Sequence, residues 1–523
     1  MLSPTPLNSV ESSGPRSQSH DPSHSHAQTP PYFGVAATSP AASSGWGLGD
    51  PAPLQHLSSE ASTSPADSWR LDEFVTDPGY LAYQEELRCL IINTAQTAAP
   101  TREGTPEAAV YGGFAAGGFA APGTISSDQG TARRQAGQIL GTGRRLEYLK
   151  NYVGEVAPWL DMFDSDRAFG IQVPVLSRSS PALMYAVLAL SARQMERKEG
   201  RQTSFDSLEL YQEAIRLLTP LLQSRDQKII PICTILCCLE MMSASAQDWR
   251  KHLEGCAALF DSFDVHGFSG GLLQAVFWCY ARMDLCGALI SDGTESTLLT
   301  PSKWLPSGVS HDEARELFHQ SRTPDMHANH AVYLCSKVCE LVADRTRHFE
   351  LGGADRCDAD ELADRWVRLW EDLQAWTRDR PPELLPVQSV QSIPFPQILF
   401  LHWAAISSNQ LYHTACALLL GSMPRPPNPK QLLGVTGSVV WHAKCICGIS
   451  LANPHQGCLN NAIQPLWVAG RLLSHRSEHA VLVRLIRSIE AVTGWGTCWR
   501  IDDLEAAWGY KVCKELKTAG TAG

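Results

Sequence analysis

Ser180-Pro181-Ala182-Leu183-Met184-Tyr185-Ala186-Val187-Leu188-Ala189-Leu190-Ser191-Ala192-Arg193-Gln194-Met195-Glu196-Arg197-Lys198-Glu199-Gly200 is the stretch that decides the fold. Ser180 offers a capping hydroxyl and Pro181 a pre-set first-turn φ, so a helix starts at Ala182 and runs to Lys198. Gly200 follows as a stop, being the residue that most readily closes a helix in a left-handed conformation. Leu183, Val187, Leu190 and Met195 fall near one face at helical spacing. The same grammar repeats outward in both directions. Leu208–Leu222 places Tyr211, Ile215, Leu218 and Leu222 at helical steps, and Ile229–Met242 is apolar almost all round, which puts it at the centre of a domain. Asp248 reads as the cap of a helix that buries Trp249, Leu253, Cys256, Leu259 and Phe260.

Further helices are expected at Leu272–Leu289, Ala331–Phe349, Ala359–Thr377, Phe395–Leu420, Ser438–Leu451, Ala462–Leu473, Glu478–Val492 and Asp502–Leu516. Asp292–Asn329, rich in proline around Trp304, reads as a long irregular loop. Period-two alternation bounded by turn pairs does not recur, and no fixed repeat period fits. The fold class is therefore all-α: an irregular multi-helix domain of antiparallel helix pairs joined by short connections such as Ser243–Gln247, preceded by a long disordered N-terminal region.

Composition sets that region apart. Ser, Pro and Gly fill 30 of the first 66 positions, the range of a disordered tail. Residues 67–98 form an island with helical spacing at Leu81, Leu87, Leu90 and Ile91, and with Trp69, Leu71 and Phe74 set among Asp67, Asp72, Glu73 and Asp77. Acids interleaved with aromatics and leucines suit a coactivator groove, so Trp69, Leu71, Phe74, Leu81, Leu87 and Leu90 are the candidate activation or docking segment; packing onto the main domain is the equal alternative. A Gly/Ala-rich linker spans 99–144, the helical domain 145–516, and 517–523 is a short tail. No stretch reaches the run of about 18 clean apolar residues a membrane span needs, since Arg282 and Asp284 interrupt Gly271–Ile290. The start lacks the charged and apolar regions of a secretory signal, and the 16 cysteines read as reduced, mostly buried thiols.

Motifs with chemistry are few. His442, Cys445, Cys447, His455 and Cys458 hold enough soft ligands for zinc, but Cys445 and Cys447 on a helix point about 200° apart, so no metal is assigned. Cys233, Cys237 and Cys238 read as core packing in an apolar helix. Asp360, Glu361 and Asp364 are spaced like a magnesium-diphosphate site of terpene cyclases, and the helical class fits, but a downstream partner motif is missing and acids suit a helix's first turn. Gly-x-Ser-x-Gly, phosphate-loop and dinucleotide-loop patterns do not occur, and His402 reads as a buried helix residue. No catalytic or cofactor-binding residue is assigned.

Several blocks, in order, resemble the helical regulatory domain of fungal binuclear zinc-cluster transcription factors. They are Tyr152–Asp164, Ser180–Gln194, Asp248-Trp249-Arg250-Lys251-His252-Leu253-Glu254-Gly255-Cys256, Phe277–Asp284, Asn409–Cys416 and Asn453–Cys458, continuing into Gln464–Trp467 and Trp495-Gly496. The resemblance implies a nuclear, pathway-specific regulator, of the kind that often controls a specialised-metabolite gene cluster. Its partners would be other transcription factors or coactivators, with homo- or heterodimers and a small-molecule effector within the family's range. In such families a six-cysteine module holds two zinc ions and presents a basic helix to the major groove. Here Cys89 stands alone before Cys233, the first 149 residues contain no lysine and the net charge is −11, so specific DNA binding is not expected from this chain alone. Either the gene encodes a regulator without the cluster or the module lies upstream of Met1. The alternatives from other classes are an all-helical prenyl-diphosphate enzyme and a helical scaffold outside transcription.

Overall fold

A computed structural model describes residues 73–98, 134, 137–201, 205–224, 226–243, 246–321, 323–349, 359–423 and 437–512. The Ser/Pro-rich stretch, most of the Gly/Ala-rich linker, Trp69 and Leu71 lie outside the described residues. The longer helices are α1 (Pro78–Ala98), α2 (Gly143–Asn151), α3 (Pro181–Lys198), α4 (Asp206–Gln223), α5 (Ile229–Ser243), α6 (Ala246–Ser262), α7 (Gly271–Ile290) and α8 (His311–Gln320). They continue as α9 (Pro324–Phe349), α10 (Ala359–Arg378), α11 (Trp403–Gly421), α12 (Val439–Ala452), α13 (Ile463–Leu472), α14 (Arg476–Thr493) and α15 (Cys498–Trp508). The fold is all-α, as the periodicity requires.

Helix α3 forms where its sequence places it. Pro181 occupies the first helical position, although the Ser180 hydroxyl makes no cap bond. Gly200, at φ +65°, closes the other end: its N–H bonds Arg197 O and the next N–H, of Arg201, bonds Glu196 O, a Schellman closure. The helix is buried on nearly every side because α4, α5 and α2 pack around it. Its polar positions find partners in that packing. Glu196 accepts from the backbone N and the hydroxyl of Ser207, holding the first turn of α4, and Arg193 bonds Ser243 Oγ at the end of α5. Gln194 and Arg197 donate to the carbonyls of Thr493 and Gly494, tying α3 to the end of α14.

Two cores result. The larger runs from Phe74 through α11 and includes Trp159, Trp278, Trp304, Trp366 and Trp376. The smaller gathers Ile463, Leu466, Leu482, Ile486 and Leu504 from α13, α14 and α15. Helix α12 divides them: Cys445 and Ile449 face the larger core, and Ala443, Ile446 and Cys447 the smaller. A helix apolar on both sides is buried between layers, and α12 packs against α11 and α13 accordingly.

Four expected elements differ. The helix expected from Phe395 begins instead at Trp403, capped by His402 Nδ1, which accepts from Ala404 N. Ahead of it lies an antiparallel hairpin, β1 (Gln388–Val390) with β2 (Gln397–Leu399). Pro394 and Pro396 bias the residues before them toward extended backbone, which excludes a helix there. The expected loop at Asp292–Asn329 contains α8, opened by a capping box between Ser310 and Glu313, and the first turns of α9. Asp248 is inside α6, which starts at Ala246, and α15 stops at Trp508 because Gly509 adopts φ +74°.

Gly448 lets α12 touch the hairpin: a Cβ there would stand 2.1 Å from Pro396 O, which is backbone and cannot rotate away. Gly448→Ala is expected to destabilise the fold by about 1–3 kcal/mol, as overpacking does. Chemical denaturation of the two chains checks it.

Candidate functional site

Helix α1 is seated on α4 and α6, and its seat is polar at the centre. Asp77 starts the helix by accepting the N–H groups of Gly79 and Tyr80 at 2.7 and 3.1 Å, with Pro78 at the first helical position. One face of α1, with Phe74 from the helical turn Glu73–Thr76 before it, then enters the body. Phe74, Tyr80, Leu87 and Ile91 are buried, Phe74 beneath the Arg193 guanidinium at 4.0 Å and edge-on to Phe205. Gly255 on α6 permits the approach, because a Cβ there would lie 2.8 Å from Ile91 Cγ2.

Beneath this face sits Glu240, the carboxylate of the otherwise apolar helix α5, fully buried. Its Oε1 accepts from Tyr211 OH of α4 at 2.7 Å and faces His252 Nδ1 of α6 at 2.8 Å. Its Oε2 accepts from Gln84 Nε2 of α1 at 2.8 Å, and Gln84 also donates to Tyr80 OH at 3.2 Å. Side chains from α1, α4, α5 and α6 thus meet at one carboxylate. Burial works against charge on both Glu240 and His252. For Glu240, the adjacent imidazolium and the hydrogen bonds outweigh it and leave the carboxyl below its ordinary range. For His252, Glu240 and then the Cys256 thiol outweigh burial and raise the imidazole to about 10. The pair is a buried ion pair whose carboxylate is hydrogen-bonded at both oxygens, which offsets its desolvation.

The sequence-based candidates separate on this geometry. Phe74 and Leu87 are in the core and Leu90 is half-buried against it, while Leu81 is exposed. In this state Phe74 and Leu87 face the body, not an outside groove. Spacing does not single out Glu240, yet a lone carboxylate in an apolar helix signals a buried partner. Of the candidate zinc ligands, His442 pairs with His413 through Nδ1 atoms 2.8 Å apart, Cys445 and Cys447 face different cores, and Cys458 lies 3.6 Å from His455. They do not converge. Asp360, Glu361 and Asp364 are exposed on α10, beside buried Trp366. Among the described residues no helix is long and apolar enough to cross a membrane.

The described residues form a helical body on which an upstream helix is docked. Residues 147–508 match the profile of the fungal specific transcription factor domain, and the chain belongs to that family. It is similar to the transcription activator AMTR1 of Alternaria alternata, 24% identical over 347 residues, an alignment covering 54% of this chain and 44% of that protein. The chain therefore spans less than half the length of that relative. No solved structure matches it.

His252→Gln is expected to cost about 3–5 kcal/mol, since it leaves a buried carboxylate without its cation. The imidazole's ordinary value is 6.5 and its folded value about 10, so its stabilisation is complete below 6.5 and lost as pH rises through about 10. Glu240, held below its ordinary 4.5, contributes above that value and loses its share as pH falls. The stability gap between wild type and variant should be widest from about pH 5 to 6.5 and narrow toward pH 10, read by denaturant titration across that range.

Proposed function

We propose that this protein regulates transcription in the nucleus as a non-enzymatic interaction body, with DNA contact supplied by a partner or by a module outside this chain. Family membership supports the regulatory reading. The name of the Alternaria relative supports activation as its sign. A single pathway's genes, such as a specialised-metabolite cluster, are the proposed target, resting on the family resemblance. Coactivators or a zinc-cluster protein are the proposed partners.

The observation that carries the mechanism is the Gln84–Glu240 bond at 2.8 Å beneath a helix with an acidic and aromatic flank. Docked, α1 and the helical turn Glu73–Thr76 before it hide Leu87 and Phe74; released, they offer an apolar face of the kind that enters coactivator grooves. The body thereby gates its own upstream segment. A partner that binds the released helix more tightly than the body holds it would shift the two states by that difference in affinity. Electrostatics supports protein partners over nucleic acid: the net charge of −11 repels phosphate.

Fusion of the chain to a heterologous DNA-binding domain in a fungal reporter strain tests the gate. Gly255→Leu, which pushes Ile91 and α1 off the body, should raise reporter output several-fold and expose α1 to limited proteolysis. Release of α1 without a change in output would overturn gating. The purified chain alone should give no sequence-specific shift of duplex DNA.

A further inference from the structure

Beside Glu240 lies a second cluster, the only group of its kind among the described residues. Cys237 of α5 and His252 and Cys256 of α6 are fully buried, and each offers a ligand atom such that all lie within 4.8 Å of one another. His252 and Cys256 are four residues apart on one helix, hence on the same face, and α5 packs against that face. The His252 ring is already oriented: Nδ1 faces Glu240 Oε1 at 2.8 Å, whereas Nε2 is buried with no hydrogen-bond partner. Glu240 is itself fixed by Tyr211 and Gln84. A carboxylate holding the far nitrogen of a histidine is the outer-shell support that sets the tautomer and orientation of metal-binding imidazoles. Cys233 stands one helical turn before Cys237, buried on the same face of α5.

We propose that Cys237, Cys256 and His252 Nε2 form a binding site for a thiophilic divalent cation, zinc foremost, with Cys233 the available fourth ligand. Two sulfurs and an imidazole nitrogen are the donor set zinc prefers, and a structural zinc site is closed to solvent, as this one is. Hard cations are excluded because they take oxygen ligands. The proton balance is explicit. On binding, the Cys237 and Cys256 thiols ionise and His252 gives up its Nε2 proton, all to solvent, while the Nδ1 proton stays in the bond to Glu240. The dication offsets the two thiolates, and loss of the imidazolium proton leaves the site one unit negative through Glu240, whose charge Tyr211 and Gln84 continue to hydrogen-bond; a Cys233 thiolate as fourth ligand would release one further proton.

The site stands apart from the reading of α1 as a gate, although the two share Glu240. Metal binding replaces the Glu240–imidazolium pair with a bond to a neutral ring, and so changes the field at the carboxylate that holds Gln84.

The full-length chain, purified with reductant and without added chelator, should carry or take up one equivalent of zinc by elemental analysis. Cobalt(II) should replace it with thiolate charge-transfer bands in the near ultraviolet. Zinc-edge X-ray absorption of the wild-type chain should show at least two sulfurs and an imidazole. That measurement needs no variant, so misfolding of a cysteine substitution leaves the proposal testable. Cys237→Ser with Cys256→Ser should abolish the bands, and Cys89→Ser should leave them intact. No uptake by the folded wild-type chain, an oxygen- and nitrogen-only shell, bands unchanged in the double variant, or a Cys237–Cys256 disulfide in the reduced preparation would each overturn it.

Discussion

A carboxylate taken out of water must be met by donors and a cation, or it will not stay charged. Glu240 is met by Tyr211, His252 and Gln84, and those three come from three different helices. The constraint reaches further than one residue. To bring His252 within 2.8 Å, α6 must lie against α5 in one rotational setting, which also brings Cys256 toward Cys237. To bring Gln84 there, α1 must cross α6 at Gly255, where no larger residue fits without displacing Ile91. Apolar contacts tolerate sliding and repacking, whereas a hydrogen-bonded buried charge does not. The network supplies register where hydrophobic burial supplies most of the attraction.

The same division appears elsewhere. Asp284 in α7 accepts from Leu298 N and Leu299 N, anchoring the chain that leads to Trp304. Burial raises its carboxyl to about 6 despite these bonds. Asn453 at the end of α12 bonds Phe400 N and Ile398 O, fixing the hairpin to that helix. Buried polar side chains therefore mark the joints between segments, and aromatic clusters fill the spans between them.

Much of this was legible in the residues, for reasons that differ element by element. Helix α3 is announced by Pro181, Gly200 and a sustained apolar spacing, and local signals of that kind survive tertiary context. Helix α5 is apolar all round, which declares its central place. What escaped is what depends on contact across the sequence. Ser310 and Glu313 form a capping box in plain view, yet proline and glycine around them read as loop. Phe395 and Ile398 carry helix-like apolarity, and only the two flanking prolines argue for extended chain. Phe74 and Leu87 look the same whether they await a partner or face a core, because burial is settled by Gly255 and Arg193 far along the chain. Cys237 and Cys256 are separated by the α5–α6 turn, and a spacing of this length announces no ligand set until the helices are laid side by side.

The surface follows a rule of its own. Many described cations stand against acids: Arg144 with Glu147 and Glu199, Arg365 with Glu340 and Asp344, Lys198 with Glu155, Lys303 with Asp261, and Arg471 with Asp292. Others are drawn inward, Arg282 to the Leu160 carbonyl and Arg500 to Gln464 beneath Trp467. Exposed pairs contribute only about 0–1 kcal/mol each, so stability is a weak reason for them. Their effect is on the field: each pairing cancels a positive charge that could otherwise join a stripe attractive to phosphate. Among the described residues the fold cancels or buries these cations, within a chain already carrying −11, so the paired positions add little positive field of the kind that draws phosphate.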